Sequence, residues 1–123
     1  MRAHSLRVLV VEDGLLNQKL LSGLLERRDC DVTVANNGQE AVDRLAEHTF
    51  DLVLMDVQMP VMDGLEATQL IRQREATEEN STPIVAITAG VDRQRCLDAG
   101  MDEYLSKPVR PNLLDEVLSR VMP

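Results

Sequence analysis

Aromatic residues are almost absent from this sequence of 123 residues. Phe and Tyr occur once each and Trp does not occur, so aromatics make up 2% of the chain although apolar residues reach 44%. Any core must therefore be aliphatic, and the length suits one such core, so we expect a single domain over residues 1–123. The lone tyrosine, Tyr104, stands out against this background.

Long hydrophobic runs are also missing. The apolar run from Val8 to Val11 ends in two acids and is too short for the core of a signal peptide. Nothing approaches the roughly 18–20 apolar residues that a membrane-spanning helix needs. The sequence therefore predicts no membrane insertion by this domain and a cytoplasmic location.

Positive charge and cysteine are both scarce. Lys and Arg number 13 against 21 Asp and Glu, which gives a formal net charge of −8. Such a chain repels a phosphate backbone or an anionic membrane, so we expect a protein or cation partner and no direct nucleic-acid binding. Cys30 and Cys96 have no second Cys or His at ligand spacing, which predicts neither a zinc site nor a disulfide framework but two buried apolar residues.

Short runs of Val, Ile and Leu alternate with segments of helical spacing. Runs that are apolar throughout indicate strands covered on both faces, and the alternation predicts a parallel α/β sheet with helices on both sides. The predicted strands are residues 6–11, 31–35, 52–56, 84–88 and 103–106, and the predicted helices are 15–28, 38–47, 64–74, 92–99 and 110–121. In the first helix one stripe is expected to face the core, formed by Leu16, Leu20, Leu21, Leu24 and Leu25.

Three acids follow two of the predicted strands, where binding sites of open α/β sheets form. Glu12 and Asp13 end the first strand and Asp56 ends the third. Three close carboxylates would repel, and at least one would take up a proton unless a cation compensated the charge. Oxygen ligands alone suit Mg²⁺ or Mn²⁺ better than Zn²⁺.

The same edge carries a cation and a hydroxyl. Lys107 follows the fifth strand, with Pro108 to fix the turn, and Thr88 ends the fourth strand. These groups could hold a tetrahedral anion beside a carboxylate nucleophile. Such a set suits phosphoryl transfer, whose product would be an acyl phosphate on an aspartate.

Four motifs in this order and spacing form a signature. They are Val10 to Asp13, Leu54 to Gly64, Ile87 to Ala89, and Tyr104 to Pro108. Together they resemble two-component response-regulator receiver domains over nearly the whole chain, most closely the receivers of hybrid sensor histidine kinases. The resemblance implies a flavodoxin-like, doubly wound (βα)5 fold with strand order 2-1-3-4-5.

The resemblance also implies roles for the acids. Asp56 would be the phosphoacceptor, attacking a phosphohistidine of a histidine kinase or histidine phosphotransfer domain. Asp13 and Asp56 would ligate Mg²⁺, with Mn²⁺ as the other candidate. Glu12 would bind the ion through water, and the backbone carbonyl of Gln58 would complete the protein ligands.

Other positions would transmit the signal. Lys107 would pair with phosphoryl oxygens, and Thr88 would shift to the new phosphoryl group and open space for Tyr104. The readout would be a surface around the fourth helix, fifth strand and fifth helix, recognised by a downstream protein or the chain's own kinase domain. Structural roles are expected for Asp63, Gly64 and Pro108.

Two positions depart from the pattern. Gly14 stands where this subgroup usually has Asn, which removes a side chain from the rim of the site. The span between Gly90 and Asp92 is shorter than usual, so the fourth helix must start early or be short, with Asp92 as its candidate N-cap. Phosphorylation and its readout are therefore separate predictions.

Three alternatives belong to other classes. A phosphatase with an aspartyl-phosphate intermediate would want a second acid where Gln58 stands. A nucleotide- or flavin-binding module would want a Gly- or Ser-rich loop where the acid pair stands. A protein-interaction module that works without phosphorylation is favoured only by the short connection after Gly90. We expect a signalling domain with intrinsic self-phosphorylation and autodephosphorylation chemistry, not a turnover enzyme.

Overall fold

The computed structural model describes residues 6–77 and 81–121, and strands and helices alternate throughout this part of the chain. The strands are β1 Leu6–Val11, β2 Cys30–Ala35, β3 Leu52–Asp56, β4 Ile84–Thr88 and β5 Glu103–Ser106. The helices are α1 Leu15–Glu26, α2 Gly38–Glu47, α3 Gly64–Glu75, α4 Arg93–Ala99 and α5 Pro111–Val121. Each of these helices is too short or too polar to cross a bilayer.

The five strands form one parallel sheet in the order β2-β1-β3-β4-β5. This confirms the predicted flavodoxin-like topology. The central strand β3 is buried along its whole length, which explains why its sequence is apolar without alternation. Val11 pairs with Met55, so the residues that follow, Glu12 and Asp56, end neighbouring strands at the same edge.

Aliphatic side chains fill the space on both sides of the sheet. On one side Leu9, Val53 and Met55 pack with residues of α2, α3 and α4. On the other side Leu54 and Val85 pack with residues of α1 and α5. Cys96 belongs to the first cluster and Cys30 to the second, which confirms both as buried apolar residues.

Several predicted boundaries were wrong by one or two residues. The first helix was predicted to reach residue 28 but ends at Glu26, because Arg28 N–H bonds to the carbonyl of Leu25 and Asp29 adopts a positive φ of 62°. The second strand begins at Cys30, not 31, because Cys30 already pairs with Leu6.

The later helices differ from prediction in the same way. The third helix extends to Glu75 instead of 74. The fourth begins at Arg93 instead of 92, because Asp92 is the N-cap and accepts a hydrogen bond from Arg95 N–H. The fifth begins at Pro111 instead of 110, and a proline suits the first helical position because no N–H is needed there.

The predicted stripe of α1 was also partly wrong. Leu21 and Leu25 are buried and Leu24 is half-buried, but Leu16 is 71% exposed and Leu20 is 58% exposed. The sheet covers a narrower stripe of the helix than predicted, and only the last leucine of the row Leu16, Leu20 and Leu24 packs against the core. Leu21 and Leu25 pack on the core, whereas Leu16 and Leu20 lie at the surface of α1.

Candidate functional site

Three carboxylates meet at the carboxyl ends of β1 and β3. Glu12, Asp13 and Asp56 each offer one oxygen, and these oxygens lie within 4.8 Å of one another. Glu12 is 1% exposed and Asp56 is 3% exposed, whereas Asp13 is open to solvent. Parallel strands bring their ends to one edge, so the fold collects acids that are more than 40 positions apart in sequence.

Lys107 joins this cluster from the end of β5. Its Nζ donates to Asp56 Oδ2 at 3.0 Å and to Glu12 Oε1 at 3.1 Å. Its backbone N–H donates to the carbonyl of Thr88 at 3.0 Å, and the Lys107–Pro108 peptide is cis. One ammonium group therefore bridges two buried carboxylates.

Negative charge exceeds positive charge at the site. Burial raises the pKa of Glu12, as do its hydrogen bond to Asp56 and the charge of that neighbour, while Lys107 opposes the rise. Burial alone would lower the pKa of Lys107, but its hydrogen bonds to Asp56 and Glu12 raise it overall. Three carboxylates (−3) and one ammonium (+1) leave a formal charge of −2. A divalent cation with oxygen ligands fits both this charge and this donor set.

The loop after β3 and the start of α3 fix the position of Asp56. Asp56 Oδ1 accepts a hydrogen bond from Gln58 N–H at 3.2 Å. Gly64 N–H donates to the carbonyl of Val57 at 2.8 Å, and a Cβ at position 64 would overlap the carbonyl oxygen of Asp56. Asp63 caps α3 by accepting from Glu66 N–H at 2.8 Å. The start of α3 thus packs directly on the strand end that carries Asp56.

Thr88 lies at the end of β4, buried and already engaged. Its hydroxyl oxygen accepts from the N–H groups of Gly90 and Val91, each at 3.2 Å. Ala86 pairs with Tyr104 across β4 and β5, which places Thr88 and Tyr104 on the same face of the sheet. Tyr104 is half-buried against the core on that face. The structure thus ties Thr88 to the short connection before α4.

No role was predicted for three residues near the site, Gln18, Asn36 and Val61. The Gln18 side-chain amide donates to the carbonyl of Glu12 at 2.6 Å and to Asn36 Oδ1 at 2.8 Å. Val61 is 81% exposed and has a positive φ of 71°, which is unusual for a β-branched residue. Such features depend on how the start of α1 and the neighbouring loops meet in the fold, so spacing along the sequence did not predict them.

An apolar cleft opens beside the acidic cluster. It has a volume of about 610 Å³ and lies between α1 and the segment after β5. Leu20, Leu24, Pro108 and Val109 contribute to its walls, and Glu12 and Lys107 reach its edge. A buried charged site therefore adjoins an apolar surface.

Comparison with known proteins identifies the family to which this chain belongs. Residues 8–119 match the response regulator receiver domain family, and the chain belongs to that family. It is 44% identical over 121 residues to hybrid signal transduction histidine kinase I of Dictyostelium discoideum, with 92% of this chain and 7% of the kinase covered. It is 38% identical over 122 residues to signal transduction histidine-protein kinase BarA of Escherichia coli (strain K12), with 97% and 13% covered. The chain thus spans a small part of these relatives.

Solved structures are similar over almost the whole chain. One is a co-crystal structure from Saccharomyces cerevisiae of the histidine phosphotransfer protein Ypd1 with the receiver domain of Ssk1. Its TM-score is 0.86 at 33% identity, with 94% of this chain and 87% of that chain covered. Another is the receiver domain of the sensor histidine kinase PA1611 from Pseudomonas aeruginosa PAO1, which has magnesium in its active-site cleft. Its TM-score is 0.85 at 37% identity, with 95% and 97% covered.

Proposed function

We propose that this receiver domain accepts a phosphoryl group on Asp56 from a phosphohistidine of a histidine kinase or histidine phosphotransfer domain. The observation that carries the proposal is the buried Asp56 carboxylate, held 3.0 Å from Lys107 Nζ within a cluster of three acids. Membership of the receiver family supports it. So does the similarity to a receiver crystallised with a histidine phosphotransfer protein.

The chemistry follows from the proposed roles. An oxygen of Asp56 attacks phosphorus, the new O–P bond forms as the P–N bond to imidazole breaks, and the electron pair of that bond remains on the imidazole nitrogen. Lys107 already contacts Asp56 Oδ2 and would pair with oxygens of the transferred group. Catalysis of this kind depends on positioning and charge neutralisation, and the site offers both.

The metal of this proposal is Mg²⁺, with Mn²⁺ as the alternative. Asp13 and Asp56 would be ligands with the backbone carbonyl of Gln58, and Glu12 would bind through water. A bound ion would neutralise negative charge on the carboxylates and the phosphoryl oxygens. The uncompensated charge of the cluster and the magnesium in the similar PA1611 receiver support this assignment.

A protein donor is supported by the surface around the site. Leu16 and Leu20 are exposed on α1, and the apolar cleft beside them reaches Glu12 and Lys107. Exposed apolar area next to a reactive group is typical of a protein contact. We infer that a partner protein bearing the phosphohistidine covers this surface during transfer.

The proposed output involves Thr88 and Tyr104. If the Thr88 hydroxyl moves to the phosphoryl group, it releases the N–H groups of Gly90 and Val91. The connection before α4 would then rearrange and give Tyr104 space to move inward. This would change the surface of α4, β5 and α5 that a downstream protein or the kinase's own catalytic domain would recognise.

The domain would act as substrate and partial catalyst of its own phosphorylation and hydrolysis, not as a turnover enzyme. Incubation with acetyl phosphate or a phosphorylated histidine phosphotransfer protein, with Mg²⁺, tests this by mass spectrometry. We expect one phosphoryl group on Asp56, none on Asp56→Asn, and wild-type labelling of Asp31→Asn, whose carboxylate is exposed. Labelling of Asp56→Asn at the wild-type level would contradict the proposal.

A further inference from the structure

We propose that Gln18 is a positioning residue that clamps the backbone between Glu12 and Asp13 and thereby sets the affinity of the site for Mg²⁺. This inference rests on the proposed function. No role was predicted for Gln18, and its side chain is not one of the three carboxylates that cluster at the site. Its influence would act entirely through the acid pair.

Glu12 is bonded through its backbone and through both carboxylate oxygens. Its N–H donates to the carbonyl of Ala35 at 3.1 Å, and its own carbonyl accepts from Gln18 Nε2 at 2.6 Å. Its carboxylate accepts from Asp13 N–H at 3.0 Å and from Lys107 Nζ at 3.1 Å. Gln18 thus supplies one of four contacts that fix this residue.

The contact from Gln18 acts on one peptide plane. The carbonyl of Glu12 and the N–H of Asp13 belong to the same rigid peptide group. Gln18 holds the oxygen side of this group, and Glu12 Oε2 holds the N–H side. Rotation of the plane would carry the Asp13 N–H away from Glu12 Oε2, so clamping the plane preserves the hydrogen bond that orients the Glu12 carboxylate within the proposed metal site.

A second hydrogen bond anchors Gln18 to the loop after β2. Its Nε2 also donates to Asn36 Oδ1 at 2.8 Å. Asn36 in turn donates to Glu40 Oε1 through its backbone N–H at 2.9 Å and through Nδ2 at 3.1 Å. The carbonyl of Glu12 and the carboxylate of Glu40 can only accept hydrogen bonds. The side-chain amides of Gln18 and Asn36, which lie between these two acceptors, are therefore fixed in orientation.

Gly14 makes this anchor more important. It is the N-cap residue of α1 but has no side chain to cap the helix. The segment Glu12–Gly14 therefore lacks the cap that usually fixes the entry to a helix. Gln18, in the first turn of α1, ties this segment to the loop after β2 instead.

A Gln18→Met variant tests the clamp because methionine has a similar length and helix propensity but no donor. The matched control is Gln94→Met on α4, which loses a comparable bond to Asp98 Oδ1 at 2.7 Å far from the acids in sequence. We expect calorimetric titration of the full chain with Mg²⁺ alone to show about a tenfold weaker dissociation constant for Gln18→Met, as for other residues that orient metal ligands. Gln94→Met should bind like the wild type.

Asn36→Ala supplies a second test of the same relay. It should weaken Mg²⁺ binding in the same direction, and the two changes should be less than additive when combined. In the metal-free protein, Asp13 N–H should exchange with solvent faster in Gln18→Met than in Gln94→Met. This readout is independent of phosphorylation and of metal binding.

Gln18→Met would contradict this role if its Mg²⁺ dissociation constant changed by less than about threefold. Such a change is well below the usual effect of residues that orient metal ligands. Unchanged exchange of Asp13 N–H would contradict this role too. Absence of saturable Mg²⁺ binding by the wild-type chain would instead contradict the proposed function, and the exchange experiment would still test the clamp. The two failures are therefore distinguishable.

Discussion

The two edges of the sheet use charge differently. At the amino-terminal edge, Arg72 donates to the carbonyls of Gly100 and Thr82 at 2.8 and 2.9 Å. It also pairs with Glu75 at 2.6 Å and Asp102 at 2.8 Å. One cation thus meets two carboxylates and two carbonyls, and it ties α3 to the segments that precede β4 and β5.

The carboxyl-terminal edge has a larger excess of negative charge, with three carboxylates to one ammonium against two carboxylates to one guanidinium around Arg72. Lys107 bridges Glu12 and Asp56, but Asp13 adds a third carboxylate close by, and the pKa of Glu12 is raised. One edge of the sheet therefore uses charge to hold the fold together. The other keeps a charge imbalance that a cation can relieve, as expected of a functional site.

The largest expected effect is at the amino-terminal edge. Arg72→Met should lower the free energy of unfolding by about 3 kcal/mol, because the nearly buried Glu75 loses its cation and two carbonyls lose a donor. Urea unfolding measures this loss. The control is Arg120→Met, whose exposed pair with Glu103 should be worth less than about 1 kcal/mol.

A loss of Mg²⁺ affinity by a folded Arg72→Met protein would contradict this separation between the two edges. The two edges would then be coupled, and the network around Arg72 could not be described as a purely structural one. Unchanged Mg²⁺ affinity together with reduced stability would support a purely structural role for Arg72.

At the carboxyl-terminal edge, removal of a charge should raise the free energy of unfolding instead of lowering it. A raised folded-state pKa means that the stability associated with neutral Glu12 is fully present below the unfolded pKa and is lost as pH rises through the folded value. Glu12→Gln stays neutral, so without metal it should be more stable than the wild type at neutral pH, by on the order of 1 kcal/mol. This advantage should shrink towards pH 4.

Mg²⁺ should reverse the order of these two proteins. The wild type gains stability in proportion to its affinity for the ion, and Glu12→Gln gains less because it has lost a charge that attracts the ion. Thermal unfolding over a pH series, with and without Mg²⁺, measures both effects. A metal-free Glu12→Gln protein less stable than the wild type at neutral pH would contradict this view of the edge.

The smallest effect concerns Gly14 at the start of α1. Its φ of −89° is ordinary, and the nearest atom to an added Cβ is Asn17 Nδ2 at 3.7 Å, so a side chain fits. Gly14→Ser should exceed Gly14→Ala in stability by about 1 kcal/mol, because only serine can cap the helix. Chemical denaturation of the two variants measures the difference, and equal stabilities would show that α1 gains nothing from a cap.

Local patterns predicted the fold well where the physical cause is itself local. β3 could be predicted because a strand covered on both faces must be apolar throughout. The predicted stripe was wrong for Leu16 and Leu20 of α1, because helical spacing alone does not show how wide a stripe of the helix the sheet covers. Helix ends shifted where turns and caps such as Asp92 decided the boundary.

In the site, too, some features could be predicted from the sequence and others depend on tertiary contacts. Glu12, Asp56 and Lys107 could be placed together because all three follow parallel strands, whose ends share an edge. The bond from Gln18 to the carbonyl of Glu12 joins a side chain to backbone, and no residue pattern encodes it. The engagement of Thr88 with the next two amides depends on the path of a short loop that could not be predicted in detail.

The most direct test of Asp56 as phosphoacceptor is an NMR titration with beryllofluoride, a mimic of the phosphoryl group, with and without Mg²⁺. We predict Mg²⁺-dependent shifts of the backbone amides of Asp56 and Gln58, and loss of exchange protection at Gly90 and Val91 if Thr88 moves. A change at Asp56 with static Gly90 and Val91 amides would refute only the proposed readout. No Mg²⁺-dependent change at Asp56 would contradict the phosphoacceptor role itself.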